Sequence, residues 1–134
     1  MKLLLIIAAV IEAVAGLALL LIPTVAVSAL LGAPLDTPTG LVGARIAGAA
    51  LVALAIACWR AINGEHGSSA TAIVEAMLSY NFAAAMVLVH AGIRLDLRSA
   101  LLWPAIVLHL VLGAWCVLTV WFTSRKVAKS EVKL

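Results

Sequence analysis

Charged residues are scarce in this sequence. Asp, Glu, Lys and Arg make up 11% of its 134 residues, whereas 66% are hydrophobic. A soluble domain is nearer one quarter charged and one half apolar, so this chain has too little polar surface to cover a particle in water. The composition excludes an ordinary soluble domain and fits a protein whose solvent is the lipid bilayer.

The motifs of common enzyme classes are also missing. The chain has no H-E-x-x-H, no G-x-S-x-G and no glycine-rich phosphate loop. Its two cysteines, Cys58 and Cys116, lack the C-x-x-C spacing of a redox pair, so we interpret them as packing thiols. The sequence therefore predicts no catalytic residue, no metal site and no cofactor, and it weighs against an enzyme without deciding the question.

Long apolar runs are what the sequence does contain. Four runs, at 3–22, 41–62, 70–92 and 100–123, have at least 20 residues each, and ~20 helical residues cross ~30 Å of hydrocarbon. They are continuously apolar rather than alternating, which favours helices over a barrel. We predict an all-α, polytopic membrane protein. Residues 1–134 form one domain of four transmembrane helices in an antiparallel bundle, and 124–134 form a basic cytoplasmic tail.

The ends of the runs contain helix start signals. The first run begins like a signal peptide, but its apolar stretch continues to Ile22, so we expect an uncleaved helix. Residues 25–31 predict a short interfacial helix between the first two spans. Thr37 and Pro38 predict the start of the second span. The last span starts either at Ser99, with a kink, or at Trp103, with Pro104 in its first turn.

Basic residues are distributed unevenly between the connections. With the N-terminus inside, six of them lie on the cytoplasmic side, against Arg94 and Arg98 outside. This asymmetry predicts that both termini are cytoplasmic. We expect the tail to bind anionic lipids, and the net charge of +3 does not require nucleic acid as a partner. The six are Lys2, Arg60, Arg125, Lys126, Lys129 and Lys133.

Small residues recur every four positions in three of the spans. Such stripes let helices approach closely within a bilayer. Two stripes include a polar residue, which predicts that Glu12 and His109 face neighbouring helices rather than lipid. The stripes are Ala8–Glu12–Gly16, Gly40–Ala44–Gly48 and Ala105–His109–Gly113.

Five polar residues inside the spans form the candidate site: Glu12, Arg45, Tyr80, Asn81 and His109. At ~1.5 Å per residue, all but Arg45 lie near the middle of the membrane, and Arg45 lies nearer the outer face. A central charge costs ~2.5–3.5 kcal/mol, and Arg45 is the only cation well inside the spans. One interpretation is a structural Glu12–Arg45 salt bridge, with Asn81 and His109 hydrogen-bonded between helices. The other is a cluster that binds a proton, an ion or a polar ligand.

Four segments together resemble a group of small bacterial four-helix inner-membrane proteins. They are "ExxxG" at 12–16, "RIAGAAL…ACW" at 45–59, "MLSYN" at 77–81 and "LLWPAIVLH" at 101–109. The resemblance covers most of the chain, implies a bacterial inner membrane, highlights the same five polar residues and brings no activity with it.

In length and topology the chain is also similar to the small multidrug resistance transporters. Those four-helix proteins work as dimers and exchange protons for cationic drugs at a carboxylate in the first helix, which Glu12 would match. Arg45 departs from that family, because it would repel a cationic substrate.

Three functional hypotheses follow. The first is a non-enzymatic structural or accessory bundle, or a binder of a lipid-like molecule, that works as a homo-oligomer or within a larger membrane complex. The second is a small proton-coupled transporter that uses Glu12. The third is an enzyme or redox subunit that acts on a lipid or quinone through His109 and Tyr80.

Overall fold

The structure is a computed structural model that describes residues 1–63 and 68–131, with side chains for 1–63 and 69–125. Every regular element in these ranges is a helix. Four of the five are long and apolar enough to cross a membrane, and α2 is short. The all-α class and the four long helices are thereby confirmed. The elements are α1 (Lys2–Leu21), α2 (Pro23–Leu31), α3 (Pro38–Asn63), α4 (Ser68–Arg94) and α5 (Leu102–Glu131).

Proline and hydroxyl side chains set the helix starts. Pro23 is the first residue of α2, where its missing N–H costs nothing. The backbone N–H of Gly40 donates to Thr37 Oγ1 at 3.2 Å, so the predicted N-cap of α3 is confirmed. Ser99 Oγ accepts from the N–H of Leu102, and α5 begins there with Pro104 in its first turn. The alternative start at Ser99 with a kink is therefore wrong.

Helix ends differ from the predicted boundaries by a few residues, except at the tail. The last helix continues through Glu131, so most of the predicted tail is helical. The predicted turn at 63–69 lies largely outside the described residues, and α4 begins at Ser68. The short helix predicted at 25–31 is confirmed as α2, which starts two residues earlier.

The helices pack as two close pairs. α1 lies mainly against α3, and α4 lies mainly against α5. At the α1–α3 contact, a methyl group added to Gly48 would lie 2.7 Å from the carbonyl oxygen of Gly16. Glycine is required at both positions because the two backbones touch. Gly40 belongs to the same stripe, but it faces Leu35 and Thr37 of the preceding loop rather than another helix.

A core of buried side chains joins the two pairs. It includes Leu5 and Ala8 of α1, Cys58 of α3, Met77 of α4 and Cys116 of α5. All four long helices contribute to this core, and Tyr80 of the candidate site packs against it.

The short helix α2 covers one end of the bundle. Leu30 and Leu31 pack beside Leu102 of α5, and Ser99 Oγ donates to the carbonyl oxygen of Leu30 at 2.6 Å. The helix ends at Gly32, whose φ of 72° lies in the left-handed region. This end of the bundle is thus held by a hydrogen bond from a side chain to the backbone as well as by apolar packing.

Candidate functional site: a buried polar chain

Glu12 lies in the interior of the bundle. Its side chain is 1% exposed, and its Oε1 atom has no hydrogen-bond partner. The stripe Ala8–Glu12–Gly16 is buried along its whole length, because Gly16 holds α1 tightly against α3. The prediction that Glu12 faces neighbouring helices is confirmed, and its carboxyl group is left with an open hydrogen-bonding position.

Tyr80 lies between the acid and His109. Its hydroxyl group is near the Glu12 carboxyl group across the α1–α4 boundary. Its ring meets the ring of His109 edge to face, with centroids 5.6 Å apart and an interplanar angle of 81°. An aromatic pair of this geometry favours a fixed orientation of both rings, so Tyr80 helps to position His109.

Asn81 and His109 form a hydrogen-bonded pair between α4 and α5. Asn81 is completely buried; its Nδ2 donates to the Met77 carbonyl at 2.8 Å, and its Oδ1 lies 2.9 Å from His109 Nδ1. Because the amide nitrogen is used by Met77, the amide oxygen must accept. We therefore assign the proton of the imidazole to Nδ1, which leaves Nε2 as an acceptor. The hydrogen bond predicted between these two helices is confirmed.

The four residues lie in a row of polar side chains from α1, α4 and α5, which we call the polar chain. Its order is Glu12, Tyr80, His109 and Asn81. His109 and Asn81 are hydrogen-bonded, whereas Tyr80 meets His109 through its ring. The polar chain offers both hydrogen-bond donors and acceptors, and one carboxyl oxygen remains open. Within residues 1–63 and 69–125, no three His, Cys, Asp or Glu side chains are grouped to hold a metal ion.

Arg45 does not belong to this chain, and the predicted salt bridge between Glu12 and Arg45 is wrong. Arg45 is exposed on the outer surface of α3, whereas Glu12 is buried. Ala9 and Ala13 line one groove with Val52 and Ala55, so Glu12 lies beside the part of α3 that follows Gly48.

Arg45 precedes Gly48 in α3, so it lies on the far side of the Gly16–Gly48 contact from Glu12. Within the described side chains, the one ion pair is Arg98 with Asp96, at 2.8 Å on the surface.

Cys58 of α3 and Cys116 of α5 are completely buried and free, and both belong to the core cluster that contains Leu5 and Ala8 of α1. This placement suits the packing thiols expected from the sequence. The sequence does not reveal that the two thiols share one cluster, because this depends on how the helices are aligned.

The chain matches no family model, no curated protein and no solved structure. The geometry of the polar chain is therefore the basis for a functional interpretation.

The absence of a Glu12–Arg45 contact leads to a specific prediction. The losses of stability in Glu12→Gln and Arg45→Met should add in the double variant, with a coupling energy below ~0.5 kcal/mol, because the side chains do not meet. Thermal unfolding of the parent and the three variants in one detergent measures this coupling. A double variant more stable than the sum of the two losses predicts would show that Glu12 and Arg45 interact. That result would contradict the observed packing.

Proposed function

We propose that this chain is an integral membrane protein whose four long helices span the bilayer. The support is the outward surface, which is covered with large apolar side chains such as Val14, Leu21 and Met86, exposed by 65%, 74% and 72%. An exposed apolar surface of this extent would aggregate in water, whereas lipid tails cover it without cost. Trp59 and Trp103 are also exposed, which suits residues that anchor a membrane interface.

The proposed arrangement is an antiparallel bundle in a bacterial inner membrane with both termini in the cytoplasm. The groove shared by Ala9, Ala13, Val52 and Ala55, together with the Gly16–Gly48 contact, supports opposite directions for α1 and α3. The excess of basic residues near the termini supports the orientation. Arg125 stacks on Trp121 at 3.8 Å, a pair suited to the cytoplasmic interface.

Reporter fusions test this orientation. A C-terminal fusion to an enzyme that is active only in the periplasm should be silent, and a fusion to a fluorescent protein that folds only in the cytoplasm should be bright. Fusions placed after Arg94 should give the reverse result. A periplasmic C-terminus would contradict the predicted orientation.

The function that the geometry supports best is a non-enzymatic membrane component with a proton-binding site at Glu12. The observation that carries this conclusion is the fully buried Oε1 atom without a hydrogen-bond partner. An isolated carboxylate is costly in an apolar interior, and a neutral acid is much less so. Glu12 therefore holds a proton in this packed state, and the open oxygen accepts a hydrogen bond from a small ligand or from water when the bundle opens.

Infrared spectroscopy tests the protonation of Glu12. The purified protein should show a carbonyl band of a buried carboxylic acid at neutral pH. This band should disappear in Glu12→Gln and persist in Glu75→Gln, in which an exposed acid of α4 is replaced. A spectrum without a band specific to Glu12 would show an ionised carboxylate and would refute the proton site.

A proton-coupled transporter is the second candidate. The observation that favours it is the lack of a permanent cation partner for Glu12, because an acid locked in a salt bridge could not exchange protons. In liposomes that contain a pH-sensitive dye, a transporter would give a proton flux that depends on substrate and is abolished in Glu12→Gln. Equal proton fluxes in the parent and in Glu12→Gln would contradict the transporter and leave the non-enzymatic accessory role as the proposal. The proposed oligomer or larger complex suits either function.

A further inference from the structure

A shallow groove of about 410 Å³ runs along the outer side of α4, away from the polar chain. Its floor is apolar, with Phe82, Met86 and Ile93, and Leu110 of α5 closes one side. Its other end is polar, because His90 and Arg94 line the groove where α4 finishes. The groove therefore changes from fully apolar to cationic along a single helix.

The length of the groove matches one leaflet of a bilayer. From Phe82 to Arg94 the helix rises by ~18 Å, and half of the hydrocarbon core measures ~15 Å. If Arg94 lies at the interface, where α4 ends, then Phe82 lies near the midplane. An object that fits this groove has an apolar tail about as long as one leaflet and an anionic head.

The charge at the polar end is available to such a head group. Arg94 forms no ion pair within the described part of the chain, and it lies one turn after His90 on the same face. Arg98, only four residues later, is held by Asp96 through contacts from both Nε and Nη2. The two arginines at this end of the bundle thus differ in whether their charge is already neutralised.

We propose that this groove binds one anionic phospholipid, with an acyl chain along Phe82, Met86 and Ile93 and the phosphate group on Arg94 and His90. The proposal rests on the membrane insertion proposed above and is independent of the role of Glu12. Arg94 supplies a planar pair of donors for phosphate oxygens, and the apolar floor selects a lipid over a soluble anion.

Native mass spectrometry tests the site, using the detergent-purified protein with equal amounts of phosphatidylglycerol and phosphatidylcholine. The parent should retain phosphatidylglycerol preferentially. Arg94→Gln should weaken that retention by about tenfold, as expected from the loss of a charged hydrogen bond. Arg98→Gln is the matched control and should keep the preference. Met86→Trp fills the groove at an exposed position and should reduce retention while all charges stay in place.

Three results would overturn the phospholipid site. They are a parent without a preference, equal losses in the two arginine variants, and full retention in Met86→Trp. Membrane fractionation of the same variants separates this proposal from the previous one. A chain that stays in the membrane fraction but shows no preference refutes the lipid site alone. A chain that is absent from the membrane fraction refutes both proposals.

Discussion

Gly48→Leu should lower the free energy of unfolding by about 3 kcal/mol or more, the upper end of the cost of overpacking. Even the first carbon of the new side chain would lie 2.7 Å from the Gly16 carbonyl oxygen and 2.9 Å from the Leu20 nitrogen. Both are backbone atoms, so no change of rotamer relieves the contact, and α1 must move away from α3. A leucine side chain is well suited to a lipid environment, so the loss of unfolding free energy in this variant reports the helix packing alone.

Gly43→Leu is the matched control for this experiment. Gly43 lies on the same helix, and a side chain added there meets nothing within 4 Å, so its melting temperature in the same detergent should equal that of the parent. Gly113→Leu should be intermediate, because a methyl group at this position lies 3.6 Å from the Phe82 ring, an ordinary contact, and only the longer side chain is crowded. Equal melting of the Gly48 and Gly43 variants would show that α1 and α3 do not meet at these glycines.

Gly32→Ala should have the second largest effect, about 3 kcal/mol from two causes. The left-handed conformation, with φ at 72°, costs an alanine ~1–2 kcal/mol. Its methyl group would also overlap the carbonyl oxygen of Arg98, so the loop before α5 must shift. Overpacking of this kind adds a further ~1–3 kcal/mol.

Ser99→Ala serves as a graded comparison at the same junction. It removes the hydrogen bond to Leu30 and the cap of α5, and should cost ~1–2 kcal/mol. Gly43→Ala should again melt like the parent. If calorimetry shows that Gly32→Ala also melts like the parent, then α2 does not pack against the loop before α5. The description of α2 as the cover of this end of the bundle would then be wrong.

The helices were predictable because their signals are local. Apolar runs define the long helices, Thr37 and Pro38 mark the start of α3, and the spacing of small residues indicates which faces meet. The same spacing places Glu12 and His109 against neighbours, because a polar residue on a stripe of small residues shares its face. These inferences need only the periodicity of one helix at a time.

The partner of Glu12 was not predictable, because it depends on how two helices are aligned. Depth counting places Glu12, Tyr80, Asn81 and His109 at similar levels, but it gives neither the rotation of α3 nor the position of Arg45 around it. Arg45 was the only cation within the spans, and that made it the apparent partner. In the structure Glu12 has no cation partner and Tyr80 lies on the facing helix pair instead, which is the arrangement on which the proposed proton site rests.

The division into two close helix pairs has a consequence for biogenesis. α1 and α3 come from the first half of the chain and α4 and α5 from the second, so each pair can assemble as soon as its own half has left the ribosome. Glu12 belongs to the early pair, whereas Tyr80, Asn81 and His109 belong to the late pair. In the proposed membrane topology, the acid enters the bilayer before the second helix pair is made, and docking of the two pairs is the step that brings the polar residues together.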